Sequence, residues 1–216
     1  ALITAMSLCD RPAHAAGSLN ILFSIPGWYA LMGAAVWIVL GCSRLFTTSL
    51  LYLYVLGHEL THVLAVYCSR GSVSKFNASL DGGYIQTDKN NLFISLSPYF
   101  LPLWGMLWGL VWGIVHIFWP TITCEALLYS GLGFWWCFHL FWTAWIIPKD
   151  QPDLAGNGTF FSLILVYFAN LLLFLGLLRL FNAVSINRFL ADCLHNAERL
   201  WDTARDLALF TAGLFL

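Results

Sequence analysis

Long apolar runs separated by short polar segments dominate the first 185 residues of the chain. Five runs reach the roughly 20 residues that a helix needs to cross about 30 Å of hydrocarbon. Because Pro98 and Pro102 lie near the start of the third run, we expect a kink there. The pattern predicts an all-α polytopic membrane protein with about five transmembrane helices, at residues 21–42, 46–67, 92–119, 122–147 and 159–181.

Two segments of the chain follow other patterns. Residues 72–88 contain short alternating stretches that are broken by Asp81, Gly82 and Gly83, which predicts a small β-hairpin after the second span. Residues 186–216 mix apolar and charged positions, which predicts an amphipathic helix that lies on the membrane or against a partner. We therefore expect a membrane-embedded domain over residues 1–185 and an amphipathic C-terminal helix over residues 186–216.

The composition supports a membrane protein and argues against nucleic-acid binding. Hydrophobic residues make up 60% of the 216 residues and charged residues only 10%. The formal net charge is -1, and no run of Lys or Arg offers a phosphate-binding surface. Basic residues are divided almost evenly between the two sides of the predicted membrane, and those in short loops favour a cytoplasmic position for the hairpin side.

The second apolar run contains an HExxH sequence formed by His58, Glu59 and His62. Residues at i and i+4 lie on one face of a helix, so both imidazoles can bind one zinc ion while Glu59 acts as general base on a water beside it. Ionisable groups inside a spanning helix are costly and are functional by default. The structural alternative is that the two histidines are hydrogen-bonded within a helix bundle.

A catalytic zinc ion usually has a third protein ligand, and Asp153 is the candidate. The loop between the fourth and fifth spans opens on the same side as the latter half of the second span, so Asp153 lies at a depth similar to that of the two histidines. Asp150 is the competing ligand, although Pro152 places Asp153 at the entrance to a helix. The alternative role for Asp153 is that of a helix N-cap.

Three further features have both a functional and a structural interpretation. His139, in the fourth run, is a second candidate catalytic residue that could stabilise an oxyanion or orient Asp153, and it could equally be a hydrogen-bonded bundle histidine. Asn170 in the fifth run favours a helix-joining hydrogen bond. The free edge of the hairpin could bind an extended peptide, or the hairpin could simply pack at the membrane surface.

The sequences GHELTHVLAVYC and IIPKDQPDLAGNG resemble the site-2 protease family of intramembrane zinc metallopeptidases, in a compact bacterial branch. The resemblance covers about residues 51–173. It implies that His58, His62 and Asp153 are zinc ligands and that Glu59 is the general base. This chain has QPDLAGNG where better-known members have an LDG sequence with an upstream Asn-Pro.

The resemblance also implies a function. We expect a multi-pass zinc metalloendopeptidase that hydrolyses peptide bonds of membrane-spanning or membrane-adjacent substrates, in a bacterial inner membrane with the active site nearer the cytoplasmic side. The expected partners are a transmembrane protein substrate, the lipid bilayer and, through the C-terminal helix, a larger membrane assembly. The alternative is a non-proteolytic subunit or stabilising factor of such an assembly that retains the protease fold.

Overall fold

The computed structural model describes residues 24–43, 46–122, 124–149, 151–180 and 186–213. These residues fall into two compact units, one of Ile25–Leu173 and a second that includes residues 174–180 and 186–213. In chain order the elements are α1 (Ile25–Cys42), α2 (Thr47–Cys68), β1 (Val73–Ser79), β2 (Gly82–Thr87), α3 (Leu92–Phe100), α4 (Leu103–Phe118), α5 (Glu125–Ile146), α6 (Pro152–Ala155), α7 (Thr159–Leu180) and α8 (Ile186–Gly213).

Three described helices, α1, α2 and α7, are long and apolar enough to cross a membrane. They match the first, second and fifth predicted spans. The predicted start of the first span at residue 21 and the predicted end of the fifth at residue 181 lie outside the described residues. The bent pair of α3 and α4 counts as a fourth span if the two helices cross together. The fourth predicted span corresponds to α5, which is helical over 22 residues. A spanning role for α5, and with it the total of five spans, stays a prediction.

The third predicted span is broken into two helices rather than being one tilted helix. The axes of α3 and α4 differ by 73°, so the predicted kink is present and sharp. The break falls at Leu101, which has an extended backbone with ψ of 110°, because a residue before proline is disfavoured in the helical region. Pro102 also has no N–H with which to continue the helix, and the Leu103 N–H donates to the Leu101 carbonyl instead.

The helices α1 and α5 pack closely because glycines face the partner backbone. A Cβ atom on Gly33 would fall on the carbonyl group of Ser130, and one on Gly133 would fall on the carbonyl group of Ala30. Small residues of this kind let two membrane helices approach each other closely. The adjoining aromatic core contacts α2 as well, and its buried members are Trp37, Tyr54, Val55, Phe138 and Trp142.

The predicted hairpin is confirmed as an antiparallel pair of β1 and β2. Its connection is formed by Leu80 and Asp81, while Gly82 and Gly83 belong to β2 and pair with β1. At the base of the hairpin, the backbone N–H and the hydroxyl of Ser72 donate to the Asp88 carboxylate at 2.7 and 2.8 Å. These two bonds hold the pKa of Asp88 below its usual value. Both strands contact α2, so the hairpin lies over the HExxH helix.

The predicted C-terminal helix is α8, which begins at Ile186. Within it, Arg205 forms ion pairs with Asp202 and Asp206, each at 3.4 Å, while the apolar side chains of Leu194 and Trp201 are exposed. Charged and exposed apolar positions along one helix agree with the predicted amphipathic character. The division of the chain at residue 186 into a protease domain and a C-terminal helix stays a prediction.

The close approach of α1 and α5 predicts a specific sensitivity to substitution. We expect Gly33→Ala to lower the free energy of unfolding by about 1–3 kcal/mol, because the added methyl group meets the Ser130 backbone and the helices must separate. Thermal unfolding in detergent measures the loss. The matched control is Gly109→Ala, since a Cβ atom there meets no other atom within 4 Å. Equal thermal stability of the two variants would contradict the packing role of Gly33.

Candidate metal centre

The helix α2 positions the three ionisable side chains of the HExxH sequence. The imidazole rings of His58 and His62 lie side by side, with centroids 5.0 Å apart, because residues four apart share one helix face. Glu59 and His62 are each only 6% exposed, so α2 carries these polar groups into the protein interior. Such burial requires polar partners from neighbouring elements.

The short helix α6 brings Asp153 to the two histidines. Its Oδ2 atom lies 3.2 Å from the Nε2 atom of His62 and 3.7 Å from the Nε2 atom of His58. Asp153 is the second residue of α6, and Gln151 is the N-cap, so the N-cap role for Asp153 is wrong. Burial alone would raise the pKa of Asp153, but the nearby imidazoles of His58 and His62 hold that pKa below its usual value and keep the carboxylate charged.

The three side chains form a group that could hold a metal ion. One ligand atom from each lies within 4.8 Å of the others. Ligand atoms at about 2.1 Å from a zinc ion in a tetrahedron are about 3.4 Å apart, close to the two observed distances. The Nδ1 atom of His62 contacts the Ile94 carbonyl at 2.8 Å, and that of His58 contacts the Tyr54 hydroxyl at 3.3 Å. Both Nε2 atoms therefore face Asp153 and remain available to a metal.

Two buried tyrosines, Tyr54 and Tyr99, adjoin this group, and neither was predicted from the sequence. Tyr54 precedes His58 by one helical turn, so its position relative to HExxH could have indicated the contact. Tyr99 is fully buried and donates to the Asp153 carboxylate at 3.3 Å, with the Gln151 side chain at 3.4 Å. Its ring also meets the ring of His58 edge-on at 5.2 Å. No local spacing in the sequence indicates these contacts of Tyr99.

Glu59 lies beneath the tip of the hairpin, at the floor of a cleft. A Cβ atom on Gly83 would lie 2.7 Å from the Glu59 Oε1 atom, so only a glycine lets the strand approach this closely. The cleft has a volume of about 330 Å³ and is bounded by α2, by the hairpin tip and by residues at and beyond the end of α5, including Trp145 and Lys149. His58 also lines it, so both a candidate ligand and the candidate base face open space.

His139 is buried in α5 and is not a member of the metal-binding group. It lines a second, smaller cavity together with His58 and Tyr54. The volume of about 20 Å³ suffices for one water molecule, and the His139 Nε2 atom has no hydrogen-bond partner among the described residues. A catalytic role for His139 stays a prediction. Asp150, the competing ligand, lies outside the described residues.

Asn170 has the helix-joining role that was predicted for it. Its side-chain amide donates to the carbonyl of Tyr99 at 2.8 Å and to the carbonyl of Val166 at 2.9 Å. The Tyr99 carbonyl is available because the Leu103 N–H donates to Leu101 at the break between α3 and α4. This bond ties the first part of α7 to the helix that carries Tyr99.

The contact between Tyr99 and Asp153 predicts a loss of metal affinity on removal of one hydroxyl group. We expect Tyr99→Phe to weaken zinc binding by about 10- to 100-fold, because the carboxylate loses the bond that orients it. Competition with a chromogenic chelator measures the dissociation constant. Tyr52→Phe is the control, since Tyr52 lies on α2 but is exposed. Unchanged zinc affinity in Tyr99→Phe would show that the Asp153 carboxylate is oriented without this bond.

We compared the chain with protein-family models, with curated proteins and with solved structures, and none of the three comparisons found a match. What bears on function is the resemblance of the sequence motifs together with the geometry of His58, Glu59, His62 and Asp153.

Proposed function

We propose that this chain is an intramembrane zinc metalloprotease of the site-2 protease kind. His58, His62 and Asp153 would hold the zinc ion, and Glu59 would be the general base. One observation carries the proposal: two imidazole Nε2 atoms and a carboxylate oxygen converge beside a Glu that faces an open cleft. Two neutral imidazoles and one carboxylate form a ligand set typical of catalytic zinc, which leaves a position for water or substrate.

The chemistry of the site follows from the positions of these side chains. When bound, zinc supplies a Lewis acid that polarises a carbonyl group and lowers the pKa of water to about 7. Glu59 accepts the proton of the attacking water and returns it to the nitrogen of the departing amine. Tyr99 and Tyr54 hold Asp153 and His58 in place through their hydroxyl groups. The cleft beneath the hairpin admits water and a peptide segment to Glu59.

The proposed substrate is a membrane-spanning or membrane-adjacent protein segment that is locally unwound. A helical peptide bond is shielded by its own hydrogen bonds, so the segment must be extended to meet Glu59 and the metal. The free edge of the hairpin is a candidate binding surface for such a segment. We place the protein in a bacterial inner membrane with the site nearer the cytoplasmic side, and assign α8 as a contact to the bilayer or to a larger assembly.

Two variants separate metal binding from proton transfer. We expect purified wild-type protein to contain close to one zinc ion per chain and to cleave model transmembrane substrates. Glu59→Gln should retain zinc and lose cleavage by about 100- to 10,000-fold, because the general base is removed. Asp153→Ala should lose both zinc and cleavage, because a ligand is removed. Metal analysis and gel-based cleavage assays in detergent measure the two properties.

Distinct results would contradict distinct parts of this proposal. A folded wild-type protein that binds no zinc would exclude the proposed metalloprotease function. Zinc without cleavage of any tested substrate would favour the non-proteolytic subunit. Cleavage that persists in Glu59→Gln would exclude Glu59 as the base.

The packing of the hairpin tip on Glu59 predicts a separate effect on catalysis. We expect Gly83→Ala to lower cleavage by about 100-fold while zinc stays bound, because the new methyl group displaces either the strand or the carboxylate. Gly113→Ala is the control, since a Cβ atom there meets no other atom within 4 Å. Normal cleavage by Gly83→Ala would show that the hairpin does not set the position of Glu59.

A further inference from the structure

Pro98 lies within α3 and changes the hydrogen bonding of that helix. In an α-helix the N–H of residue i donates to the carbonyl of residue i−4, so the donor for the Ile94 carbonyl would be residue 98. Proline has no N–H, and its ring presses against the carbonyl of residue i−4 and tilts it away from the helix axis. The Ile94 carbonyl is therefore left without its helical donor and is directed outward.

The same carbonyl holds a candidate metal ligand. The His62 Nδ1 atom lies 2.8 Å from the Ile94 oxygen, in a buried bond between residues 32 positions apart. The Ser97 hydroxyl also donates to this oxygen, at 3.2 Å. A carbonyl oxygen has two lone pairs and can accept two hydrogen bonds. Because Pro98 has no N–H to donate, His62 and Ser97 can both bind the Ile94 oxygen.

The break between α3 and α4 comes after Pro98 and not at it. The helix α3 continues through Pro98 to Phe100, and the 73° bend falls at Leu101 and Pro102. Pro98 is itself buried; it does not line the cleft beneath the hairpin, but it does line the smaller cavity with His58 and His139. The consequence that the structure does show at Pro98 is the availability of the Ile94 carbonyl to His62.

We propose that Pro98 is a positioning residue of the metal centre, which frees the Ile94 carbonyl to accept the Nδ1–H of His62. That bond fixes the imidazole tautomer and turns the Nε2 atom toward Asp153. The inference rests on the metal-binding part of the proposed function and not on the cleavage of peptides. The Ile94 carbonyl, freed by a helix proline, then has the role that carboxylates or other backbone carbonyls have around metal-binding histidines.

The test uses Pro98→Ala in the full chain. Alanine favours the helix, and its N–H competes with His62 for the Ile94 carbonyl. We expect zinc affinity, measured by chelator competition, to fall about tenfold. Ser97→Ala removes the other donor, so it should leave affinity unchanged by itself and should restore the Pro98→Ala protein to within about threefold of wild type. Pro120→Ala, in an exposed turn, is the control for loss of a proline.

A second readout does not depend on metal. In metal-free protein labelled with ¹⁵N-histidine, the Nδ1–H proton of His62 should be protected from exchange and shifted to low field, and Pro98→Ala should reverse both effects. An unchanged proton signal, an unchanged zinc affinity in Pro98→Ala, or a loss that Ser97→Ala fails to restore would overturn the inference. Wild-type protein that binds no zinc would instead refute the proposed function, while the proton signal would still test the role of Pro98.

Discussion

The burial of three ionisable side chains in one turn of an apolar helix constrains the rest of the structure. His58, Glu59 and His62 lie on α2, where an unsatisfied polar group costs several kcal/mol. Because α2 already uses its own backbone groups, most of the partners must come from other elements. The Ile94 carbonyl on α3 and the Asp153 carboxylate on α6 supply bonds for His62, and the carboxylate also faces His58. The arrangement that satisfies the imidazoles is also the one that presents two Nε2 atoms to a metal ion.

The helix α3 and the hairpin contact different parts of this site. α3 contributes the Ile94 carbonyl that Pro98 leaves free and the hydroxyl of Tyr99, so it fixes both a histidine and the carboxylate. The break at its end exposes the Tyr99 carbonyl, which anchors the first part of α7. On the other side, Gly83 lets a strand approach Glu59 while the cleft beside it stays open. The candidate ligands His62 and Asp153 are thus held by hydrogen bonds, whereas the candidate base faces the open cleft.

The local pattern of the sequence was sufficient to predict most of the helices and the hairpin. Apolar runs predicted the helices that became α1, α2, α5 and α7, and alternation around the Asp81 region predicted the hairpin, because both signals depend on neighbouring residues. The pattern did not predict that residues 92–119 form two helices, since a run of uniformly apolar residues gives no information on the direction of the chain after Leu101. The pattern predicted the kink but not its angle, because α4 also contacts α5 and a local pattern carries no information on contacts between elements.

The sequence by itself determined the chemistry that is available at the candidate site. The spacing of His58 and His62 places both imidazoles on one helix face whatever the surrounding fold. The convergence with Asp153, which is 91 residues from His62, was expected from topology and family resemblance, but the distances of 3.2 and 3.7 Å required the tertiary structure. Only the tertiary structure identified Tyr99 and the Ile94 carbonyl as partners of the ligands. Helical periodicity operates within one element, whereas orientation of a side chain depends on contacts between elements that are distant in the chain.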